Sequence, residues 1–271
     1  MTDLSDRAWR SIPEQRQSGA MAMALDEIAA ETAVREGQRT VRVYTWEPST
    51  LSLGYGQAPE SVDWEFCDRE GIDVTRRQTG GGGIYHDTHG DISYSIVLPA
   101  DEVPGDLMET YELLCEPIFD AFERMGVSAA FADDEHPEIH RPACYLRAID
   151  PAHDILVDGQ KISGNAQYRQ RDAVIQHGSL SFGLDPEPHL GVFSNPETAT
   201  EEFEERVTAI SEHAEISRDT AVGYLEDALR EWADAEDGEW SAAELEDAES
   251  LVERKYDAEA WVQDRIDPED D

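Results

Sequence analysis

The sequence predicts an α/β protein of the α+β kind, with a central mixed, largely antiparallel sheet flanked by helices and a short helical segment at the C-terminal end. Three observations carry this expectation. Short runs with strand-like alternation are interleaved with helices through the first 200 residues. The runs at 154–157, 161–167 and 173–182 follow one another as a meander. From residue 200 onward only acidic helical patterns remain, so an extension over 201–271 is expected to pack on a domain formed by 1–200. No internal repeat or long linker divides the chain differently.

Residues 20–34 are alanine-rich, and Met21, Leu25, Ile28 and Ala29 fall on one face of a helix. Strands follow at 40–44 and 50–53, with the turn Glu47-Pro48-Ser49 between them. A short helix at 63–70 and a strand at 72–75 lead into Arg76 and Arg77, and residues 91–98 read as a returning strand. Over 106–125, Leu107, Tyr111, Leu114, Ile118 and Phe122 recur at helical spacing, which assigns Cys115 to the core. Residues 130–151 are irregular and contain three prolines; His136 and His140 beside Asp133-Asp134-Glu135 have no partner at metal-ligand spacing, so a solvated loop is expected and no metal. The last strand of the meander, 173–182, brings His177 to the sheet. Acidic helices are expected at 200–207, 218–232 and 242–256, and 267–271 as a frayed tail.

At 271 residues the chain can bury a full core. No apolar run reaches membrane-spanning length, and the N-terminus lacks the basic and apolar regions of a signal peptide, so a cytoplasmic protein without membrane contact is expected. Three scattered cysteines, Cys67, Cys115 and Cys144, argue against a disulfide framework. The formal charge of −40 excludes a basic stripe for nucleic acid. Such self-repulsion is tolerated where salt is molar and the Debye length falls to roughly 3 Å, so the composition predicts a halophilic setting, a salt-filled cytoplasm.

Two motifs carry chemistry. The run Arg76-Arg77-Gln78-Thr79-Gly80-Gly81-Gly82-Gly83-Ile84-Tyr85-His86-Asp87 sets four glycines between two guanidiniums and an imidazole. Bare amides and arginine forks suit an anionic ligand; a glycine-rich hairpin turn is the plainer alternative. The second motif, Asp158-Gly159-Gln160-Lys161-Ile162-Ser163-Gly164-Asn165-Ala166-Gln167, holds one of only two lysines, the other being Lys255, against nineteen arginines. A lysine kept in such a chain points to a role for a compact point charge that arginine cannot fill.

With these motifs the chain resembles the lipoate-protein ligase A and octanoyltransferase family, which shares a catalytic fold with biotin-protein ligases. The match runs from Gly19 and Met23-Ala24-Leu25-Asp26-Glu27, through Trp46-Glu47-Pro48, Ser52-Leu53-Gly54 and the arginine-glycine run, to Lys161 and Gln176-His177-Gly178-Ser179-Leu180. A weaker echo lies at Lys255-Tyr256 and Trp261. The resemblance implies a seven-stranded type of central sheet within a catalytic domain over 1–200. It implies protein lipoylation, in which an octanoyl or lipoyl group passes to one lysine of a lipoyl domain. Candidate acceptors are 2-oxoacid dehydrogenase acyltransferase subunits and the glycine cleavage carrier protein. By the same resemblance Lys161 polarises the acyl carbonyl, and Arg76, Arg77, Gly80, Gly81, Gly82, Gly83, Tyr85, His86, Gly164, Asn165, Ala166 and His177 line the acyl or nucleotide site.

Two routes stay open. An octanoyltransferase takes octanoate from acyl carrier protein through a Cys144 thioester and needs no cofactor; Cys144 and the 167–170 and 176–179 segments favour it. A lipoate-protein ligase uses free lipoate with ATP and Mg, and at this length needs a separate accessory chain; Gly80-Gly81-Gly82 with Tyr85-His86-Asp87 is its form of the loop. A biotin-protein ligase or a non-enzymatic acyl-binding relative is the more remote alternative.

Overall fold

The structure is a computed structural model that describes residue 4 and residues 7–132, 153–169, 172–196 and 198–268. Cys144 and the expected loop with His136 and His140 lie outside the described residues. In chain order the strands are β1 (Trp9–Gln17), β2 (Arg39–Trp46), β3 (Thr50–Leu53), β4 (Asp73–Arg76), β5 (Ile84–His86), β6 (Asp91–Pro99), β7 (Ala130–Phe131), β8 (Ile155–Val157), β9 (Gln160–Arg169), β10 (Ala173–Ser181) and β11 (Glu236–Asp237). The helices are α1 (Gly19–Glu36), α2 (Trp64–Glu70), α3 (Leu107–Met125), α4 (Pro186–Gly191), α5 (Thr200–Arg206), α6 (Ile210–His213), α7 (Arg218–Ala233), α8 (Ala242–Leu251) and α9 (Glu259–Val262).

The main sheet has the order β11-β1-β2-β6-β10-β9-β8-β7, eight strands where the resemblance implied seven. It is mixed and largely antiparallel, because only β1 pairs in parallel, with β2 and with β11. A separate three-stranded sheet, β4-β3-β5, carries the arginine-glycine run. Strand alternation divides the main sheet into two apolar faces. On β6, Ile92, Tyr94, Ile96 and Leu98 join a core with Leu114, Ile118 and Phe122 of α3 and Leu225 and Leu229 of α7. On the opposite face, Val97 and Ile175 pack with α1, Trp46, Leu251, Tyr256 and Trp261.

Helix α1 is expected to bury one apolar face. Instead Ala22 to Ala30 are buried without a break, Asp26 and Glu27 included. The reason is its position between the main sheet and the C-terminal segment, which leaves almost no face to water. Ser18 caps its start and Gly37, at φ 69, ends it. The expected helix at 242–256 is also modified: α8 stops at Leu251 and the chain continues through a wider π-type turn, Val252–Tyr256. Asp267, assigned to the frayed tail, instead pairs with the buried Lys255 at 2.8 Å. Among the described residues, no helix is long and apolar enough to cross a membrane.

Candidate active site

The small sheet closes over the end of the main sheet, and the space left between them is the site. A cavity of about 490 Å³, open at its mouth, is lined by Met23 of α1, Trp46 of β2, Ser93 of β6, and Ser52 and His86 of the small sheet. Gly164, Asn165 and Ala166 of β9 and His177 and Ser179 of β10 complete the wall, with Arg77 and Gly80 from the loop. A second cavity, about 540 Å³, meets the first at Ile84, Lys161, Gly164 and Ser179. Lys161 therefore stands at the junction of the two.

The lysine is set there by local backbone geometry. The β8–β9 pairing slips between Ile155 and Leu156, which gives β9 one extra residue beside Lys161. Lys161 is 8% exposed, and its Nζ donates to Asp154 Oδ1 at 3.0 Å. A Cβ on Gly164 would sit 3.1 Å from that Nζ, so a larger residue at 164 would press on the ammonium. A buried ammonium held by a carboxylate is a preorganised donor for an oxygen that gains negative charge.

The two histidines are held by carboxylates. His86 lies flat on Trp46, with ring centroids 4.0 Å apart, and its Nδ1 is 2.7 Å from Asp91 Oδ2 while Nε2 is 3.0 Å from Ser52 Oγ. Burial pushes its pKa below the ordinary value, against the pull of Asp91. His177 is 3.1 Å from Thr79 Oγ1 and 3.4 Å from Asp26 Oδ2. Burial alone would raise the Asp26 carboxyl, but Arg42, 2.7 Å away, and His177 hold it below the usual range. Asn165 donates from Nδ2 to His153 O at 3.2 Å and accepts from the Tyr94 hydroxyl.

The arginine-glycine run is built differently from an open anion cradle. Arg77 lines the first cavity, but its guanidinium donates to Thr79 Oγ1, Ser52 O, Gly80 O and Gly82 O at 2.7–2.9 Å and so clasps the loop itself. Arg76 is fully buried away from both cavities and donates to the carbonyls of Gly54, Tyr55, Gln57, Trp261 and Val262. Close approach explains the glycines here: a Cβ on Gly54 would stand 1.9 Å from Gly81 O, and Gly81 has φ 95. Of the four, only Gly80 lines the first cavity; Tyr85 lines the second, where its hydroxyl donates to Asp87 Oδ2 at 3.1 Å. Thus Lys161, Arg77, Gly80, His86, Gly164, Asn165, Ala166 and His177 converge on one cavity, while Arg76, Gly81, Gly82 and Gly83 do not line it.

Met23, Trp46, Ser52, Asp154 and Ser179 are absent from the sequence-derived site, although each lines the cavity. Met23, Trp46, Ser52 and Ser179 belong to the matched motifs, which was the available signal. Asp154 had none, since its relation to Lys161 depends on the irregular β8–β9 pairing.

A large mixed sheet flanked by helices is shared with solved lipoate-protein ligases. The chain superposes on lipoate-protein ligase A bound with ATP with a TM-score of 0.78, covering 96% of this chain and 100% of that one at 23% identity. It superposes equally on the bipartite lipoate protein ligase of Thermoplasma acidophilum, with a TM-score of 0.79 over 96% and 98% of the two chains at 22% identity. Residues 18–230 match the model of the lipoyl protein ligase A/B catalytic domain, and the chain belongs to that family. Octanoyltransferase LipM of Kyrpidia tusciae is 34% identical over 88% of this chain and 92% of its own. The LipM proteins of Geobacillus kaustophilus and Bacillus subtilis are 33% and 30% identical, each over 77% of this chain and 80% of their own.

Proposed function

We propose that the protein is an octanoyltransferase of protein lipoylation, moving octanoate from acyl carrier protein to a lysine of a lipoyl domain through a thioester on Cys144. The observation that carries this reading is the likeness to octanoyltransferases over 77–88% of the chain. The site supports it by offering one buried ammonium, Lys161, where an acyl cavity meets a second space.

In this reading the Cys144 thiolate adds to the carbonyl of the octanoyl thioester. Lys161 donates to the oxygen as it becomes negative, the donor carbon–sulfur bond breaks, and the carrier leaves as its thiolate. The uncharged lysine amine of the lipoyl domain then adds to the enzyme thioester. An amide forms, a proton is lost from the nitrogen, and the Cys144 thiolate is restored. Met23, Trp46 and Ala166 give the first cavity the apolar wall an octanoyl chain needs. His86 and His177, tethered to carboxylates, shape its polar end.

No cofactor enters this scheme. The ligase reading, with ATP and Mg, draws on the glycine-rich loop, but Arg77 makes three hydrogen bonds within the loop and one to Ser52 O of β3. Acceptors in either case are lipoyl domains, of an acyltransferase subunit or of the glycine cleavage carrier protein, in a salt-rich cytoplasm. The test supplies a lipoyl domain in molar potassium chloride with octanoyl-acyl carrier protein without ATP, or with free lipoate and ATP, and weighs the product by mass spectrometry. Octanoyl gain without ATP that is lost in Cys144→Ser is expected. Lipoyl gain that needs ATP and survives Cys144→Ser identifies a ligase instead.

A further inference from the structure

The second cavity has no task in the scheme above, because the acyl chain is accommodated by the first. It is about 540 Å³ in volume and joins the first at Lys161. Ser163 of β9 lines it, is only 1% exposed, and its Oγ has no hydrogen-bond partner. Leaving a buried hydroxyl unpaired is unfavourable, so a serine set in the wall of this cavity is a waiting hydrogen-bond partner for a ligand.

The rest of the wall restricts the ligand's chemistry. Among the described residues, Asp87 and Asp91 are the carboxylates of this wall, and Lys161, paired with Asp154 at 3.0 Å, is the lysine that faces them. Asp91 accepts from His86 and Ser93, and Asp87 accepts from the backbone amides of His89 and Gly90. A phosphate group would meet two negative charges. Leu184, Phe203 and Val207 supply apolar surface between the polar groups, and Ser179 and Ser181 add hydroxyls. The matching ligand is an uncharged chain that carries both carbon segments and amide or hydroxyl groups.

We propose that the second cavity receives the neutral, amide-bearing arm of a pantetheine-type thioester donor. Its carbonyl lies at Lys161, its acyl chain runs into the first cavity, and its terminal phosphate remains outside. The inference rests on the octanoyl-transfer reading and deepens it by giving the leaving group its own subsite.

The test compares two donors of the same acyl group, octanoyl-pantetheine and the shorter octanoyl-N-acetylcysteamine, with a lipoyl domain as acceptor. Ser163→Ala and Ser181→Leu are the variants, because both positions line the second cavity and neither lines the first. Wild-type protein is expected to prefer the longer donor. Each variant should reduce the ratio of kcat/KM for the long donor over the short one about tenfold, the equivalent of one hydrogen bond of about 1.4 kcal/mol. An unchanged ratio in both folded variants overturns the subsite while leaving octanoyl transfer in place. Competition between AMP and octanoyl-pantetheine assigns the cavity to a nucleotide and also overturns it. If wild-type protein uses octanoyl-acyl carrier protein but neither small thioester, the subsite is overturned; if it uses none of the three, the octanoyl-transfer reading itself fails, and the subsite with it.

Discussion

At the residue scale, the site is an arrangement of buried ionisable groups whose partners decide their charge. His189 of α4 lies against Tyr85 and Phe203, with ring centroids 5.0 and 5.2 Å away, and burial lowers its pKa to about 4, with nearby Asp91 and Asp87 opposing. Unfolded histidine takes up a proton near pH 6.5. Between about pH 6.5 and 4 the unfolded chain therefore holds a proton at this position that the folded chain lacks, and stability falls as pH falls through that window. Above the window both states are neutral, and His189 adds no slope. The cost across the window is on the order of 3 kcal/mol for a shift of this size. His189→Phe keeps the packing and should flatten the fall in urea midpoint between pH 6.5 and 4. A slope equal to that of the wild type would show that His189 titrates normally. His86, also lowered by burial, contributes in the same sense and remains in the variant.

At the scale of elements, the C-terminal segment acts as a strap on the strand that carries the glycine loop. Trp261 Nε1 donates to Arg76 O at 2.8 Å, and Arg76 returns bonds to the carbonyls of Trp261 and Val262. Thr75 Oγ1 donates to Tyr256 O, and Lys255 pairs with Glu27 of α1 at 3.2 Å and with Asp267. Arg76 thus fixes β4 to the strap and to the 54–57 turn, and Arg77 fixes the loop to β3. The same stretch of chain beyond residue 200 also supplies α7 against α3 and β11 at the edge of the main sheet. Trp261→Ala removes a fully buried ring together with its hydrogen bond and should cost about 3–5 kcal/mol in chemical denaturation. It should also lower octanoyl transfer under conditions where the variant is still folded, since the loop loses its anchor. A stable but inactive variant, or a loss below about 1 kcal/mol, would contradict the strap.

At the scale of the whole molecule, charge dominates. With a formal charge of −40, acidic groups far outnumber basic ones, and the described ion pairs divide between exposed pairs such as Arg35–Glu36 and Arg69–Glu70 and buried ones such as Arg42–Asp26 and Lys255–Glu27. Surface repulsion is long-ranged in dilute buffer and is cut to about 3 Å in molar salt, whereas the buried pairs are screened far less. Thermal melts should therefore rise steadily from low to molar potassium chloride. Docking of an acidic lipoyl domain should follow the same trend, with kcat/KM rising with salt. Equal melting temperatures across the series, or a rate maximum in dilute buffer, would remove the halophilic reading.

The local parts of this molecule were legible from the chain. The strand at 50–53 appears with those bounds, and α2 and α3 begin after Asp63 and Asp106, which cap them. Apolar spacing and capping act within a few residues, so a linear reading can find them. β1 escaped it because Pro13 and a register shift between Ile12 and Gln15 break the alternation. β5 and β11 are too short to carry any pattern and exist through their partners alone. At the site, sequence singled out Lys161, Arg77, His86 and His177 by residue type and motif. Only the tertiary structure decided that Arg77 clasps its own loop, that Arg76 faces the C-terminal strap, that Asp154 holds Lys161, and that two cavities meet at that lysine. The physical reason is that a residue's type sets which bonds a side chain can make, while long-range packing selects the partner that fills them.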